Sequence, residues 1–450
     1  MHRRRIRFCT LSKHQNSGNY FHYTLSQLPE NINPHLYTHI NYAFVFMAEN
    51  NSVVPHEHND EELSLRMNKW IHRINPSCTT SVSVGGWSMN DGPSKYTGGV
   101  DYTPFFSKMA ETAASRSIFI QSAIKFARRL EFDGVDIDWE FIGDPTRGGK
   151  SADRANFSAL VREMRAAMQA EASSSGKKEL MITMAAPAGP DDFKNIDAKT
   201  ISDYVDWINI MTYDFYGNWE NQVENHAPIA DTRIPGWSFT SAIDQYLGAG
   251  VPPAKLMAGL PLYGRVWTLS DLSNTSPGAP GTAGTAGRCT AEHGYMSYFE
   301  IKEVSDAQEG KGVTFEPQDG WQTMPLVTPF VQVFDNQWVG YDDDVSFSAK
   351  VGIINDRGLG GAMLWAVDLD TSDAALTRKL LDLYRACPKD GAWPTTSTDE
   401  DSIIDCPADS NKPGNTQIRH CNGDGTWGSV DAKGCTSFVV HSLAAQQCIG

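Results

Sequence analysis

The sequence predicts an α/β protein: a (β/α)8 TIM barrel with a small α+β insertion domain before the last strand and a Cys-rich C-terminal tail. Three observations predict it. Runs rich in β-branched and aromatic residues alternate with helical periodicity along most of the 450 residues. The residues with chemical potential fall near the C-terminal ends of those runs, where a barrel gathers its functional groups. No glycine-rich phosphate loop opens a helix, which disfavours the doubly wound open sheet, the other architecture with this alternation.

Taken in order, residues 18–23 should supply the first strand, although they are short and polar. Residues 37–46, YTHINYAFVF, read as a buried strand. Over 60–74, Leu63, Met67, Trp70, Ile71 and Ile74 recur at helical spacing. Residues 80–88 then give a strand that ends in Gly85-Gly86, where the backbone can approach a neighbour closely. A helix over 115–130 feeds the next strand, and a second over 152–172 ends in a Ser-Ser-Ser-Gly break. Further strands are expected in 179–187, 205–214, 255–264 and 360–368. About ninety residues separate the last two, far more than a usual connection of a few residues. This separation implies the inserted subdomain.

The stretch from Asp133 to Glu140, DGVDIDWE, carries the most information. On a strand, side chains two apart share a face, so Asp136, Asp138 and Glu140 line up while Val135, Ile137 and Trp139 point the other way. Asp133 has the opposite parity and is expected to brace the strand start. A buried row of like charges is costly unless protons are shared or donors supplied, so the arrangement points to chemistry.

Composition sets bounds. A formal net charge of −16 and the lack of any long basic run argue against nucleic acid and anionic membranes as partners. No apolar stretch is long enough to span a bilayer, and MHRRRIRFCTLSKHQ has no apolar core of signal-peptide length. Export is nonetheless suggested. Five of the eight cysteines lie from Cys387 onward, and sequons occur at Asn50, Asn156 and Asn274. The tail, with Cys387, Cys406, Cys421 and Cys435, is similar to small secreted disulfide modules. Four cysteines allow three pairings, and Cys448 is left over.

The D-x-x-D-x-D-x-E pattern resembles the catalytic signature of glycoside hydrolase family 18, the chitinase family. Ser83-Val84-Gly85-Gly86 is similar to its S-x-G-G run, Met211-Thr212-Tyr213-Asp214 to M-x-Y-D, and Tyr263-Gly264-Arg265 to Y-G-R. YTHINYAF and the tail are closest to fungal class V chitinases. The resemblance implies hydrolysis of β-1,4 linkages between N-acetylglucosamine units, with retention and with the substrate's own acetamido group as nucleophile. It implies Glu140 as general acid and base, Asp138 orienting the acetamido N–H, Asp136 sharing a proton with Asp138, and Tyr213 holding the acetamido oxygen. For substrate binding it points to Trp365 as an apolar floor, with Asp214, Met211, Arg265, Trp87, Gly86 and Tyr42, and with Trp219 at the rim.

Neither metal nor cofactor is expected. His226, in Asn225-His226-Ala227-Pro228, has no second ligand at metal spacing. The expected layout is a barrel over 18–265 and 341–386, the insertion over 266–340, and a partly disordered tail over 387–450. The expected protein is a secreted monomer acting on chitin or chitooligosaccharides. Two alternatives stand beside it: a catalytically weak chitin-binding lectin, disfavoured because Glu140 and all three aspartates are present, and an endo-β-N-acetylglucosaminidase acting on N-glycans.

Overall fold

The computed structural model describes residues 9–11, 28–94, 97–307, 330–333, 336–385, 401–405, 416–421 and 427–431. The chain divides into two compact units, Met1–Leu376 and Thr377–Gly450.

The first unit holds the barrel. Its strands are β1 (Cys9–Leu11), β2 (His39–Met47), β3 (Thr79–Gly85), β4 (Gly134–Asp138), β5 (Met181–Ala186), β6 (Trp207–Ile210), β7 (Leu256–Pro261) and β8 (Gly361–Trp365). Each pairs in parallel with its neighbours, and β1 pairs with both β8 and β2, which closes the sheet. The closing strand is thus Cys9–Leu11, a correction to the expectation of residues 18–23, which lie outside the described residues.

The helices follow the sequence pattern. Asp60–Ile74 buries Met67 and Ile71, three acids open its first turn, and His72 and Arg73 close its last, matching the helix dipole. Ala113–Arg129 starts at a capping box between Thr112 and Ser115 and buries Phe119, Ile120, Ile124 and Phe126. Burying each of these apolar side chains stabilises by roughly 1.5–3 kcal/mol relative to leaving it exposed. Asp153–Ser175 ends at Gly176, a left-handed cap with φ 69°. Asp133 braces β4 from outside, accepting Thr80 N at 2.9 Å and meeting His72 Nε2 at 3.0 Å.

After Pro261 a single residue, Leu262, separates β7 from the first strand of the insertion, Tyr263–Leu269. The insertion therefore starts earlier than residue 266, and Arg265 belongs to it. Tyr263–Leu269 pairs antiparallel with Gln337–Tyr341, Gly281–Ala283 and Tyr295–Ser297, and Phe330–Val333 adds an outer strand. Helix Tyr298–Ala307 makes the subdomain α+β. Trp267 and Trp338 meet edge to face at 5.5 Å in its core, among Val223, Leu269 and Ala279. The chain leaves through a buried ion pair, Lys350 to Asp342 at 2.6 Å.

In the second unit, Asp401–Asp405, Thr416–Cys421 and Trp427–Asp431 form an antiparallel three-stranded sheet. The tail's disulfide pairing and its expected disorder lie outside the described residues. Among the described residues no helix is long and apolar enough to cross a membrane.

Candidate active site

Strand β4 carries the site because its two faces differ as the sequence demands. Val135, Ile137 and Trp139 are buried, with Trp139 stacked on Phe106 at 5.1 Å and edge-on to Phe157. The acids occupy the opposite face, inside the barrel. Asp136 accepts Ser83 Oγ at 2.7 Å, Thr183 Oγ1 at 2.5 Å and Asn209 Nδ2 at 3.4 Å. Burial pushes its carboxyl up, and these donors oppose the rise without cancelling it.

Asp138 is buried, and its Oδ1 has no hydrogen-bond partner. Burial first, then the charges of Glu140 and Asp136, push its carboxyl well above the usual range. Glu140 stands just beyond the strand's end. Burial raises it, Arg147 pulls it down, and Asp214, Asp192 and Asp91 push it up, with the balance at about 7. Asp138 and Glu140 therefore influence each other's titration, with the charge of Asp136 adding to the rise of Asp138.

Tyr213 faces this set from beyond β6. Burial, followed by Asp138, Asp214 and Glu140, keeps its phenol well above its ordinary value, so it remains a donor. Its hydroxyl lies 3.8 Å from Met363 Sδ on β8. Gly259 makes room, since a Cβ there would come within 2.7 Å of the Tyr213 ring. Met211 is half-buried one residue past β6. Asp214, at φ 57°, takes both fork N–H groups of Arg265 at 2.7 Å, and His226 Nδ1 lies 3.3 Å away. The other His226 nitrogen lies 3.2 Å from the Tyr263 carbonyl, so the ring serves the site's frame.

At the mouth, Trp365 is partly open and stacks on Phe44 at 5.5 Å. Trp87 and Trp219 project from the rim, 52% and 59% exposed. Each is backed by a guanidinium, Arg147 at 3.6 Å and Arg265 at 5.1 Å from the ring centres. Gly86, at φ 82°, gives its N–H to the Asp138 carbonyl at 2.9 Å and leaves space for Phe44, whose ring a Cβ would meet at 2.5 Å. It positions the floor and is itself a packing element.

Tyr42 is the one expected binding residue that the structure moves elsewhere. It is buried, with its hydroxyl 3.1 Å from Asp60 Oδ1 and its ring against Phe132, on the helix side of the sheet. A register shift between Tyr42 and Val45 explains the correction. One extra residue in a strand reverses which side chains face in, so Phe44 takes the inward position. Phe44, Met363 and Arg147 were not evident from sequence. Only Arg147 had a usable signal, a cation placed just after the acidic strand.

Residues 12–370 match the Glycosyl hydrolases family 18 profile. The chain belongs to this family. Within it, the chain is 35% identical over 370 residues to a probable endochitinase of Caenorhabditis elegans, covering 79% of this chain and 55% of that protein. It is 34% identical over 354 residues to chitotriosidase-1 of Mus musculus, covering 76% of this chain and 69% of that one. A class V chitinase of Nicotiana tobaccum in complex with NAG4 superposes with a TM-score of 0.71 at 27% identity, covering 84% of this chain and 99% of the other. The chain thus spans little more than half of the Caenorhabditis elegans relative. Its barrel is the family's fold.

Proposed function

We propose that the chain is a chitinase that cleaves β-1,4 linkages between N-acetylglucosamine units with retention, using the substrate's acetamido group. The observation that carries this reading is the pair at the end of β4: a buried Asp138 oxygen without a partner beside a Glu140 that keeps its proton up to about pH 7. An acetamido N–H is the donor that such an acceptor suits. The two named chitinase relatives and the NAG4 complex support the same substrate class.

The steps are those the family resemblance implies, assigned to the residues around β4. Glu140 delivers its proton to the glycosidic oxygen as the bond to C1 breaks. The acetamido carbonyl oxygen closes on C1, giving an oxazolinium ring. Asp138 accepts the N–H and offsets its positive charge, passing its own proton toward Asp136 as it does so. Tyr213 donates to the acetamido oxygen and aims it at C1, while Trp365 and Phe44 form the apolar floor. Glu140, now a carboxylate, takes a proton from water, and the resulting hydroxide opens the ring from the face the leaving group left. An extracellular setting fits the exposed sequons at Asn50 and Asn274.

The test is hydrolysis of a short chitin oligosaccharide, recording the anomer first released by the wild type and by Glu140→Gln. Release of the β-anomer by the wild type and at least a thousandfold slower release by the variant is expected. A folded wild type that binds the sugar and cleaves nothing is a lectin. Cleavage of N-glycan cores in preference to chitin makes it the N-acetylglucosaminidase.

A further inference from the structure

Arg147 touches both the rim and the end of the acidic strand. It closes the turn Pro145–Arg147, which Asp144 caps by accepting Thr146 N at 2.8 Å and which Gly148 ends at φ 78°. A Cβ at Gly148 would lie 2.5 Å from the Thr103 carbonyl, so the turn is packed in place. From there the guanidinium spends each nitrogen on a different partner. Nε donates to the Glu140 carbonyl at 2.7 Å, Nη2 to the Trp87 carbonyl at 2.8 Å, and Nη1 to the Asp91 carboxylate at 3.1 Å. Its plane covers one face of the Trp87 ring at 3.6 Å and leaves the other face open at the rim.

We propose that Arg147 is a positioning residue that couples the rim to the proton donor: it locks Trp87 and the Glu140 backbone into one rigid unit and supplies the cation against which Glu140 holds its proton. The inference rests on the reading of Glu140 as the acid. The charged groups that act on Glu140 come from several elements: Asp138 on its own strand, Asp91 beyond β3, Asp192 beyond β5, and Asp214 beyond β6. All are acids, and Tyr213 adds a neutral phenol. Arg265 and His226 bind Asp214, and among the described residues Arg147 is the cation that acts on Glu140. A general acid must release its proton in the first step and recover one in the second. Without Arg147, acids alone would surround Glu140 and hold its proton too firmly.

Three single variants of the full chain test this. Arg147→Met removes both fork and charge. Arg147→Lys keeps the charge but cannot serve three oxygens at once. Asp91→Asn keeps Arg147 and removes an acid that is half exposed. Glu140 ionisation is read by 13C NMR of glutamate-labelled protein, assigned by the signal lost in Glu140→Gln, beside the pH profile of kcat/KM on a chitin tetrasaccharide.

Arg147→Met should move the Glu140 midpoint and the alkaline limb up by about half a unit or more, and Asp91→Asn should move both down. Arg147→Lys should leave the midpoint in place and lower kcat about tenfold through lost alignment. An unmoved midpoint in Arg147→Met, or a shift of the same sign in Asp91→Asn, overturns the proposal. If Arg147→Met does not fold, the sign in Asp91→Asn decides. The NMR reading needs no turnover, so the two failures are distinct: a wild type that does not hydrolyse chitin refutes the reading of Glu140 as the acid, whereas an unmoved midpoint with hydrolysis intact refutes the role of Arg147.

Discussion

Asp214 holds a left-handed backbone conformation and a carboxylate gripped by both arms of Arg265. Burial by itself would raise that carboxyl; the Arg265 charge and hydrogen bonds outweigh it and hold it well below the usual carboxylate range. A depressed folded-state pKa contributes stability that is complete above the unfolded value of about 4 and is lost as pH falls through the folded value. Arg265→Met should therefore cost about 2 kcal/mol at neutral pH, read by denaturant titration. In a double-mutant cycle with Asp214→Asn, the combined cost should be less than the sum of the two. The acid has the opposite sign of dependence. Glu140 must start protonated and titrates at about 7, so kcat should fall as pH rises above that value, as a pH–rate profile will record. The shared face of Asp136 and Asp138 was legible in the sequence because alternation along one strand fixes it, whereas Tyr213 stood out only through its resemblance to the M-x-Y-D run. Arg147 was not legible, because its partners Trp87 and Asp91 lie some sixty and fifty-six residues away.

Among the elements, β2 shows where local reading stops. Its composition announces a buried strand, and it is one. Its parity would place Tyr42 and Phe44 on the same face, yet the register shift before Val45 sends Tyr42 to Asp60 and Phe44 to Trp365. Such an irregularity arises from pairing with β3 and leaves no mark in a single strand's own sequence. The paired glycines at the end of β3 are the complementary case, legible as a close approach although not as to what approaches. Gly86→Ala would force a Cβ into the Phe44 ring at a backbone angle that suits glycine. Its expected effects are a several-fold rise in KM for chitin oligosaccharides, read by steady-state kinetics, and a lower Tm as the floor shifts. Gly85→Ala should be the more damaging of the two, because its Cβ would overlap the Asp138 carbonyl itself.

For the whole molecule, closure of the sheet depends on three residues. Cys9–Leu11 joins β8 to β2, and a chain that begins after Leu11 would leave both of those strands with an unpaired edge. Such a truncation should lose thermal stability and aggregate, measured by light scattering during a thermal ramp; unchanged melting and solubility would deny β1 this role. The rest of the barrel was readable from alternation alone. The start was not, because so short a strand carries almost no periodicity. The insertion announced itself by length, but its boundary did not, since a single residue separates Pro261 from Tyr263 and the two strands read as one run.

That junction has a further consequence. The outgoing strand at Gly264 pairs with the returning strand at Tyr341, and Lys350 fastens the returning chain to the barrel through Asp342 immediately afterwards. The insertion is thus a cassette on a two-stranded neck. The loop after β6 lends Val223 to the cassette's core and bonds Ala279 and Gly278, so a transplant of one relative's wall onto the barrel of another must carry that loop together with the two strands of the neck.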